Sequence, residues 1–252
     1  MAGIGLWGGP TAARADEGAP AGSDAAGAGD EAAGSGTDAA GAATEGAPLP
    51  PASVDPASDF GVDANVNVST IDEYLGLPGV AYRDMRMIFD PADWESMGQD
   101  PYLSTVLEGF TIVPYPFLGT LPELPVGGAY DGDALFTVTW EDGEITGVTG
   151  NYRESLTVLR DLFPKDRPIV LVCGGGGYAG FTKKLLTYLG WDPELLYNAG
   201  GMWDYAGERT VELIDYGRSL DDDLYAIWRA DYAVIDFTLM RPESVRYNRS
   251  TQ

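Results

Sequence analysis

The segment from residue 168 to residue 189 constrains the fold of this chain more than any other. It begins with a continuous apolar run, Pro168 to Val172, which is typical of a strand buried on both faces of a parallel sheet. Cys173 and four consecutive glycines follow, and a helical pattern over 181–189 begins directly after them. Strands alternate with helices along the rest of the domain, so the sequence predicts an α/β fold with a mainly parallel central sheet flanked by helices.

Further elements are predicted from periodicity and turn residues. Alternation on both sides of Asp142-Gly143 predicts a β-hairpin, and Asp90-Pro91 predicts the capped start of a short helix running through Trp94 and Met97. The remaining predicted elements are strands at 80–83, 110–113 and 195–197, a helix carrying Leu156, Leu159 and Leu162, and two strands at 211–214 and 232–235 that extend the edge of the sheet.

Apolar residues are spread unevenly, which predicts the domain boundaries. Residues 16–58 are mostly Ala, Gly, Pro, Ser, Thr and acidic residues, and such a stretch buries too little apolar surface to offset its ordering entropy. We interpret 16–58 as a disordered linker and 59–252 as one folded domain, with 208–252 as a C-terminal extension. The apolar start and the Ala13-Arg14-Ala15 pattern predict a signal-peptide remnant at 1–15, and hence an extracytoplasmic protein.

Charge and composition exclude several classes of function. The net charge of −24 argues against nucleic acid and other phosphate-rich partners. The chain contains no histidine and a single cysteine, so Ser-His-Asp and Cys-His catalysis, His-ligated zinc and internal disulfides are all excluded. No metal and no cofactor is expected. Any cysteine chemistry therefore depends on the lone thiol of Cys173 and an outside partner.

The glycines after Cys173 predict a site for an anion or a reactive sulfur. A strand delivers Cys173 to the carboxyl edge of the sheet, where open α/β folds bind their ligands. Glycine lets the backbone curl so that amides point inward, and the following helix directs its N-terminus at the sulfur. Such an environment is expected to lower the pKa of the thiol. The predicted site is Cys173 as the catalytic residue, with a binding loop of Gly174, Gly175, Gly176, Gly177, Tyr178 and Ala179.

Three other interpretations apply to the same residues. Gly175, Gly177 and Gly180 fit the spacing of a dinucleotide-binding fingerprint, but Asn198 stands where that fingerprint places an acidic residue. The phosphate-binding pattern that ends in Gly-Lys-Ser/Thr is absent. The remaining alternative is a buried structural cysteine beside a flexible loop, although four consecutive glycines need a physical reason.

At this point the chain resembles the rhodanese-like sulfurtransferase family over about residues 75–207. The family's loop has six residues, with cysteine first, glycine fourth and usually arginine sixth; here Cys173, Gly176 and Tyr178 hold those positions. Elsewhere the resemblance rests on Asp84-Met85-Arg86, Glu108-Gly109-Phe110 with Pro114, Gly190-Trp191, and Gly200-Gly201-Met202-Trp203. Related phosphatases use a loop one residue longer, so the six-residue register favours sulfur over phosphate.

The resemblance implies a two-step reaction in which Cys173 takes sulfane sulfur as a persulfide and passes it to an acceptor thiol. The expected partners are a small donor (a persulfide, polysulfide or thiosulfate) and a thiol acceptor, which can be a protein. Tyr178 replaces the usual arginine, which weakens the case for an anionic donor such as thiosulfate. Asp84, Arg86 and Lys183 are the candidate supporting residues. An Asp84–Arg86 ion pair and solvated charges at Lys183 and Lys184 are the structural alternatives.

The hairpin inserted between residues 127 and 151 is expected to overhang the site or to bind a partner. Sulfur transfer is the first hypothesis for function. The alternative is a catalytically weak or inactive binding or sensing module tethered by the linker, and a cysteine-dependent phosphatase or oxyanion reductase is a less favoured third. Whether Cys173 is reactive and holds sulfur separates the first two.

Overall fold

The computed structural model of the protein describes residues 48–92, 95, 98–123, 128–218 and 224–248. The predicted signal-peptide remnant, the predicted linker up to residue 47, and Trp94 and Met97 of the predicted short helix lie outside these residues. Within the described ranges, no helix has both the length and the apolar character that a membrane crossing requires.

Secondary structure is dominated by strands. The α-helices that lie wholly within the described residues are α1 (Tyr115–Leu118), α2 (Ser155–Leu162) and α3 (Gly177–Tyr188), and Pro91, Ala92 and Glu95 of the predicted short helix are also helical. The strands are β1 (Ala81–Asp84), β2 (Thr105–Leu107), β3 (Thr111–Ile112), β4 (Phe136–Glu141), β5 (Glu144–Tyr152), β6 (Ile169–Cys173), β7 (Leu196–Gly201), β8 (Thr210–Glu212), β9 (Ile214–Arg218), β10 (Leu224–Trp228), β11 (Asp231–Tyr232) and β12 (Pro242–Tyr247).

Five strands form a central parallel sheet in the order β11-β3-β1-β6-β7. The predicted α/β fold with a mainly parallel sheet is therefore confirmed. Because the strands run in the same direction, the carboxyl ends of β1, β6 and β7 meet at one edge. Asp84, Cys173 and Gly201 are the last residues of those three strands and lie together there.

Alternation along β6 divides the core between the two faces of the sheet. Ile169, Leu171 and Cys173 belong to the cluster that contains the buried leucines of α2 and α3. Val170 and Val172 belong to the opposite cluster, built around Ile71 and neighbouring residues of the segment before β1. Successive side chains of a strand point to opposite faces, so the described helices pack on one face and irregular chain covers much of the other.

The predicted hairpin is confirmed as β4 and β5. Asp142 and Gly143 form its turn with φ angles of 50° and 74°, the left-handed pair that a tight hairpin turn requires. The hairpin does not stand alone, because β12 pairs antiparallel with β5 to complete a three-stranded sheet.

The predicted edge strands of the C-terminal extension are only partly correct. Tyr232 lies in β11, which pairs with β3 at the edge of the central sheet as expected. Val211 lies in β8, which instead pairs antiparallel with β2, and Ile214 lies in β9, which pairs with β10. A short apolar run does not specify which edge it joins, so the sequence could not separate these outcomes.

The predicted linker boundary at Ser58 is wrong for residues 48–58, which pack on the domain. The Tyr197 hydroxyl donates to the Pro50 carbonyl at 2.8 Å, and Val54 forms a bridge with Asp63. The fully buried Asp63 carboxylate accepts backbone N–H bonds from Ser53, Asn65 and Val66. These hydrogen bonds hold the segment together with the packing of Leu49 and Ala52 on the core, and composition alone does not reveal either contact.

Candidate active site

Cys173 lies at the floor of a cavity of about 420 Å³ at the carboxyl edge of the sheet. Its side chain is 2% exposed, and it follows the fully buried Val172 at the end of β6. The strand therefore delivers the thiol to the place that the sequence predicted. We call residues 173–178 the cysteine loop; Gly174, Gly175, Gly177 and Tyr178 also line the cavity.

The backbone of the cysteine loop curls around the sulfur. Gly176 has a φ of 91°, a left-handed conformation that residues with a Cβ rarely adopt, and its N–H donates to Cys173 Sγ at 3.1 Å. Helix α3 begins at the next residue, and the N–H groups of Ala179 and Tyr178 also stabilise the charged form of the sulfur. The expected cluster of inward-pointing amides is present.

The expectation of a lowered thiol pKa is nevertheless wrong. The pKa of Cys173 is raised from 9.0 to about 11. Burial is the largest cause, the negative charge of Asp84 adds to it, and the amides of Ala179, Gly176 and Tyr178 act in the opposite direction. Removing a thiolate from water is the larger effect because the side chain is almost completely enclosed. The resting site therefore holds a neutral thiol near neutral pH.

The indole ring of Trp203 lies against the first two glycines of the loop. A Cβ at Gly174 would come within 2.6 Å of Trp203 Cζ2, and a Cβ at Gly175 within 2.6 Å of Cζ3. The backbone N–H of Trp203 also donates to the Gly174 carbonyl at 3.1 Å. The glycines therefore allow close contact with an aromatic wall of the cavity. The sequence contained this residue within the Gly-Gly-x-Trp segment, but the predicted site omitted it.

Asn198 joins three pieces of backbone beneath the loop. It is fully buried, and its amide nitrogen donates to the Phe60 carbonyl at 2.9 Å and to the Gly176 carbonyl at 3.2 Å. Its oxygen accepts from the Gly200 N–H at 3.0 Å. In the sequence, Asn198 was notable only because it stands where a dinucleotide fingerprint has an acidic residue, and its contact with the cysteine loop was not predicted. Asn198 therefore holds the carbonyl of Gly176, the residue whose N–H donates to Cys173 Sγ.

Phe60 completes the cavity from the N-terminal segment. Its side chain is 46% exposed and lines the cavity, and its ring is 3.6 Å from the Cβ position of Gly177. Gly180 can lie close to the Phe60 carbonyl because glycine has no Cβ. A Cβ at this position would lie 2.6 Å from the Phe60 carbonyl oxygen. No signal near Phe60 in the sequence predicted this contact, because it depends on how residues 48–63 fold back over the sheet.

Tyr178 is the sixth residue of the cysteine loop, and its hydroxyl donates to Asp90 Oδ2 at 2.7 Å. Its ring stacks on Tyr115 with centroids 5.9 Å apart. The other oxygen of Asp90 accepts from the Ala92 N–H at 3.0 Å, which is the predicted helix cap. Asp90 is 3% exposed and lines the cavity, a position that the sequence did not predict.

Asp84 and Arg86 form the ion pair that was the structural alternative for these residues. The Arg86 Nε and Nη2 atoms lie 2.9 Å and 2.5 Å from Asp84 Oδ1 and Oδ2, and Nη2 also donates to the Thr105 carbonyl. The Asp84 side chain has no exposed surface, whereas Arg86 reaches the cavity wall. The Arg86 guanidinium therefore compensates the negative charge of the buried Asp84 carboxylate. Without this partner, the Asp84 charge would raise the pKa of the Cys173 thiol more strongly.

The structure does not bring Lys183 into this site. Lys183 lines a separate cavity of about 200 Å³, and burial lowers its pKa while Asp63 raises it. Lys184 binds Glu144 at 2.8 Å and the Gly143 carbonyl at 2.6 Å, so it is paired with the hairpin turn rather than simply solvated.

The expectation that the hairpin overhangs the site is wrong, since no described residue of β4 or β5 lines the cavity over Cys173. The hairpin packs instead on the outer side of α3, where the Trp140 and Phe181 rings are 5.2 Å apart. Within the described part of the chain, no three His, Cys, Asp or Glu side chains are grouped as a metal site would need.

Comparison with known proteins adds no family to this geometry. No protein-family model matches the chain, and no curated protein and no solved structure is similar to it.

Proposed function

We propose that the chain is a rhodanese-like sulfurtransferase that carries sulfane sulfur as a persulfide on Cys173. One observation carries the proposal: the sulfur lies on the floor of an open cavity while a loop amide donates to it at 3.1 Å. A structural cysteine needs neither the cavity nor the amides. Amides fixed around a sulfur stabilise negative charge that forms on it.

The first step transfers sulfur from a donor persulfide, R–S–S⁻. Cys173 Sγ attacks the terminal sulfur, the donor S–S bond breaks, and its electron pair stays on the inner sulfur. That sulfur takes the Cys173 proton and leaves as R–SH, so Cys173 holds the persulfide anion. At neutral pH only about one Cys173 in 10,000 is a thiolate, given its pKa near 11. Proton transfer to the donor therefore accompanies the attack.

The second step returns the enzyme to its thiol form. An acceptor thiol, R′–SH, attacks the outer sulfur of the Cys173 persulfide, and the S–S bond to Cys173 breaks with its electron pair left on Sγ. The acceptor's proton moves to Sγ, and the acceptor leaves as the persulfide R′–S–S⁻. Between the two steps, the outer sulfur of the Cys173 persulfide carries the negative charge, one S–S bond away from the buried Sγ. This displacement reduces the desolvation that disfavours a thiolate at Cys173.

A second candidate is a binding or sensing module without catalysis, and the raised thiol pKa favours it. A thiol that is 2% exposed and neutral at pH 7 is a slow nucleophile. The two functions differ in whether Cys173 accepts sulfur at all.

Intact-protein mass spectrometry after incubation with an organic persulfide tests the proposal, beside a Cys173→Ala control. We expect a gain of one sulfur mass that cyanide or a thiol reverses and that the control lacks. If the folded, reduced protein gains no sulfur from any donor, the binding module becomes the better account.

A further inference from the structure

The charged side chains on the wall of the cavity over Cys173 do not favour an anion. Among the described residues that line it, the cation is Arg86 and the carboxylates are Asp90 and Asp204. Arg86 makes a bidentate pair with Asp84 directly behind the wall. With Asp84 included, one positive charge and three negative charges lie on or directly behind the cavity wall.

Two neutral groups hydrogen-bond to the Asp90 carboxylate. Its two oxygens accept from the Ala92 N–H and the Tyr178 hydroxyl, both of which are neutral donors. None of the ion pairs formed between described residues includes Asp90. Because the carboxylate is 3% exposed, water screens it less than it screens a surface charge.

The size and remaining walls of the cavity fit an organic group. A volume of about 420 Å³ lies in the range of pockets for small organic ligands and is large for an inorganic sulfur anion. Phe60, Met87 and Trp203 supply aromatic and aliphatic surface. Apolar walls favour carbon substituents, and an ammonium group gains from both the aromatic faces and the carboxylates.

Building on the proposed sulfur transfer, we propose that this cavity selects an organic persulfide whose substituent is uncharged or cationic, and that Asp90 disfavours donors whose substituent adds negative charge to that of the persulfide group. Thiosulfate and carboxylate-bearing persulfides are then poor donors. The same repulsion acts against phosphate esters. The transferred atom and the two reaction steps are unchanged; the substituent of the donor sets the rate of the first step.

Three persulfides that differ mainly in the charge of a short substituent test this selection: those of cysteamine, 2-mercaptoethanol and mercaptoacetate, with thiosulfate as a fourth donor. The measurement is the initial rate of sulfur gain on Cys173 by mass spectrometry, at equal donor concentration and fixed ionic strength. We expect the cysteamine persulfide to load at least about tenfold faster than the mercaptoacetate persulfide and thiosulfate.

Asp90→Asn is the decisive variant, because it keeps an oxygen for the Ala92 N–H and removes the charge. We expect it to reduce the preference severalfold. Asp204 is exposed on the same wall, so we expect Asp204→Asn to reduce the preference for the cationic donor by a smaller factor. This variant tests the proposal if Asp90→Asn does not fold. Glu141→Gln is the matched control, since it removes one exposed charge on the hairpin outside the cavity and should leave the preference unchanged.

Each outcome separates the two proposals. Equal loading from cationic and anionic donors overturns the selection and leaves sulfur transfer standing. If all three variants keep the preference for the cationic donor, the preference arises from the overall charge of the protein, and the role of Asp90 is overturned. If no donor loads Cys173, the proposed function fails, and the selection fails with it.

Discussion

The hydroxyl of Tyr178 lies 2.7 Å from Oδ2 of Asp90 and joins the cysteine loop to the segment that follows β1. The two residues are 88 positions apart in the chain and approach each other across the cavity over Cys173. Where an arginine would place a positive charge in the loop, this protein places a phenol bound to a carboxylate. The sixth position of the loop therefore contributes no positive charge and contacts a carboxylate instead.

Replacing Tyr178 with arginine should move the protein toward inorganic donors. The guanidinium would pair with Asp90 and supply N–H donors at the cavity wall. We expect Tyr178→Arg to load sulfur from thiosulfate about tenfold faster than the wild type under equal conditions, measured as mass gain on Cys173. Tyr178→Phe is the control, because it removes the hydroxyl without adding charge and should not improve loading from thiosulfate. Equal gains in both variants would contradict the charge argument.

The raised pKa of Cys173 predicts an unusual pH dependence of its alkylation. With the pKa raised to about 11 by burial, the rate of reaction with iodoacetamide should keep rising through pH 10 in the folded protein. An ordinary cysteine would reach its plateau near its unperturbed value. A plateau below pH 9 in the folded protein would show that the buried environment does not hold the thiol neutral.

The same pKa shift predicts a loss of stability at high pH. Since the folded state binds the Cys173 proton more tightly than the unfolded chain, this stabilising contribution is complete below pH 9 and is lost as the pH rises toward 11. We expect the free energy of unfolding to fall by about 2 kcal/mol more in the wild type than in Cys173→Ala between pH 8 and pH 11. Urea unfolding of both proteins measures the difference, and the Ala variant accounts for other groups that titrate there.

Arg86 and Lys183, both proposed from the sequence as supporting cations, should behave differently. Arg86→Met leaves the fully buried Asp84 without its partner, which should destabilise the fold by about 3–5 kcal/mol. It should also slow sulfur loading, because the uncompensated Asp84 charge raises the thiol pKa further. Lys183→Met, outside the cavity, should leave loading unchanged. Similar losses of loading in the two variants would contradict the placement of Lys183.

The sequence predicted the part of this site that one continuous segment determines. The apolar run of β6, Cys173, the glycines and α3 follow each other directly, so periodicity and backbone conformation specify their arrangement. The same is true of the hairpin turn at Asp142. These features depend on neighbours in sequence, which local patterns describe well.

Contacts between distant segments were not predicted. Asp90, Asn198 and Phe60 reach the cysteine loop from 83, 25 and 113 positions before or after Cys173, and nothing in their local sequence indicates the destination. The thiol pKa was predicted with the wrong sign for a related reason. Local sequence showed the amides that lower it, while the burial that raises it comes from the whole fold.

The contact between Trp203 and the loop glycines should appear as an energetic coupling. A Cβ at Gly174 would lie 2.6 Å from the indole ring, so Gly174→Ala should destabilise the wild type by about 1–3 kcal/mol. In a Trp203→Ala background the same substitution should be nearly neutral. Urea unfolding of the four proteins gives the coupling energy directly. A cost that is equal in both backgrounds would mean that strain in the loop backbone, and not the indole, requires the glycine.

Asn198 should control how often the cysteine loop opens. Asn198→Ala leaves the Phe60 and Gly176 carbonyls and the Gly200 N–H without this partner, which should destabilise the protein by about 2–4 kcal/mol. Because the Gly176 carbonyl is then free to turn, local opening should expose Cys173 and raise its alkylation rate at pH 8 severalfold. Asn151→Ala is the control, since that amide also uses both of its ends, donating to the Ala134 carbonyl and accepting from the Thr137 hydroxyl, but lies at the hairpin. The rates are compared in buffer, where both variants remain folded. If the two variants alkylate at the same rate, Asn198 only stabilises the fold and does not position the loop.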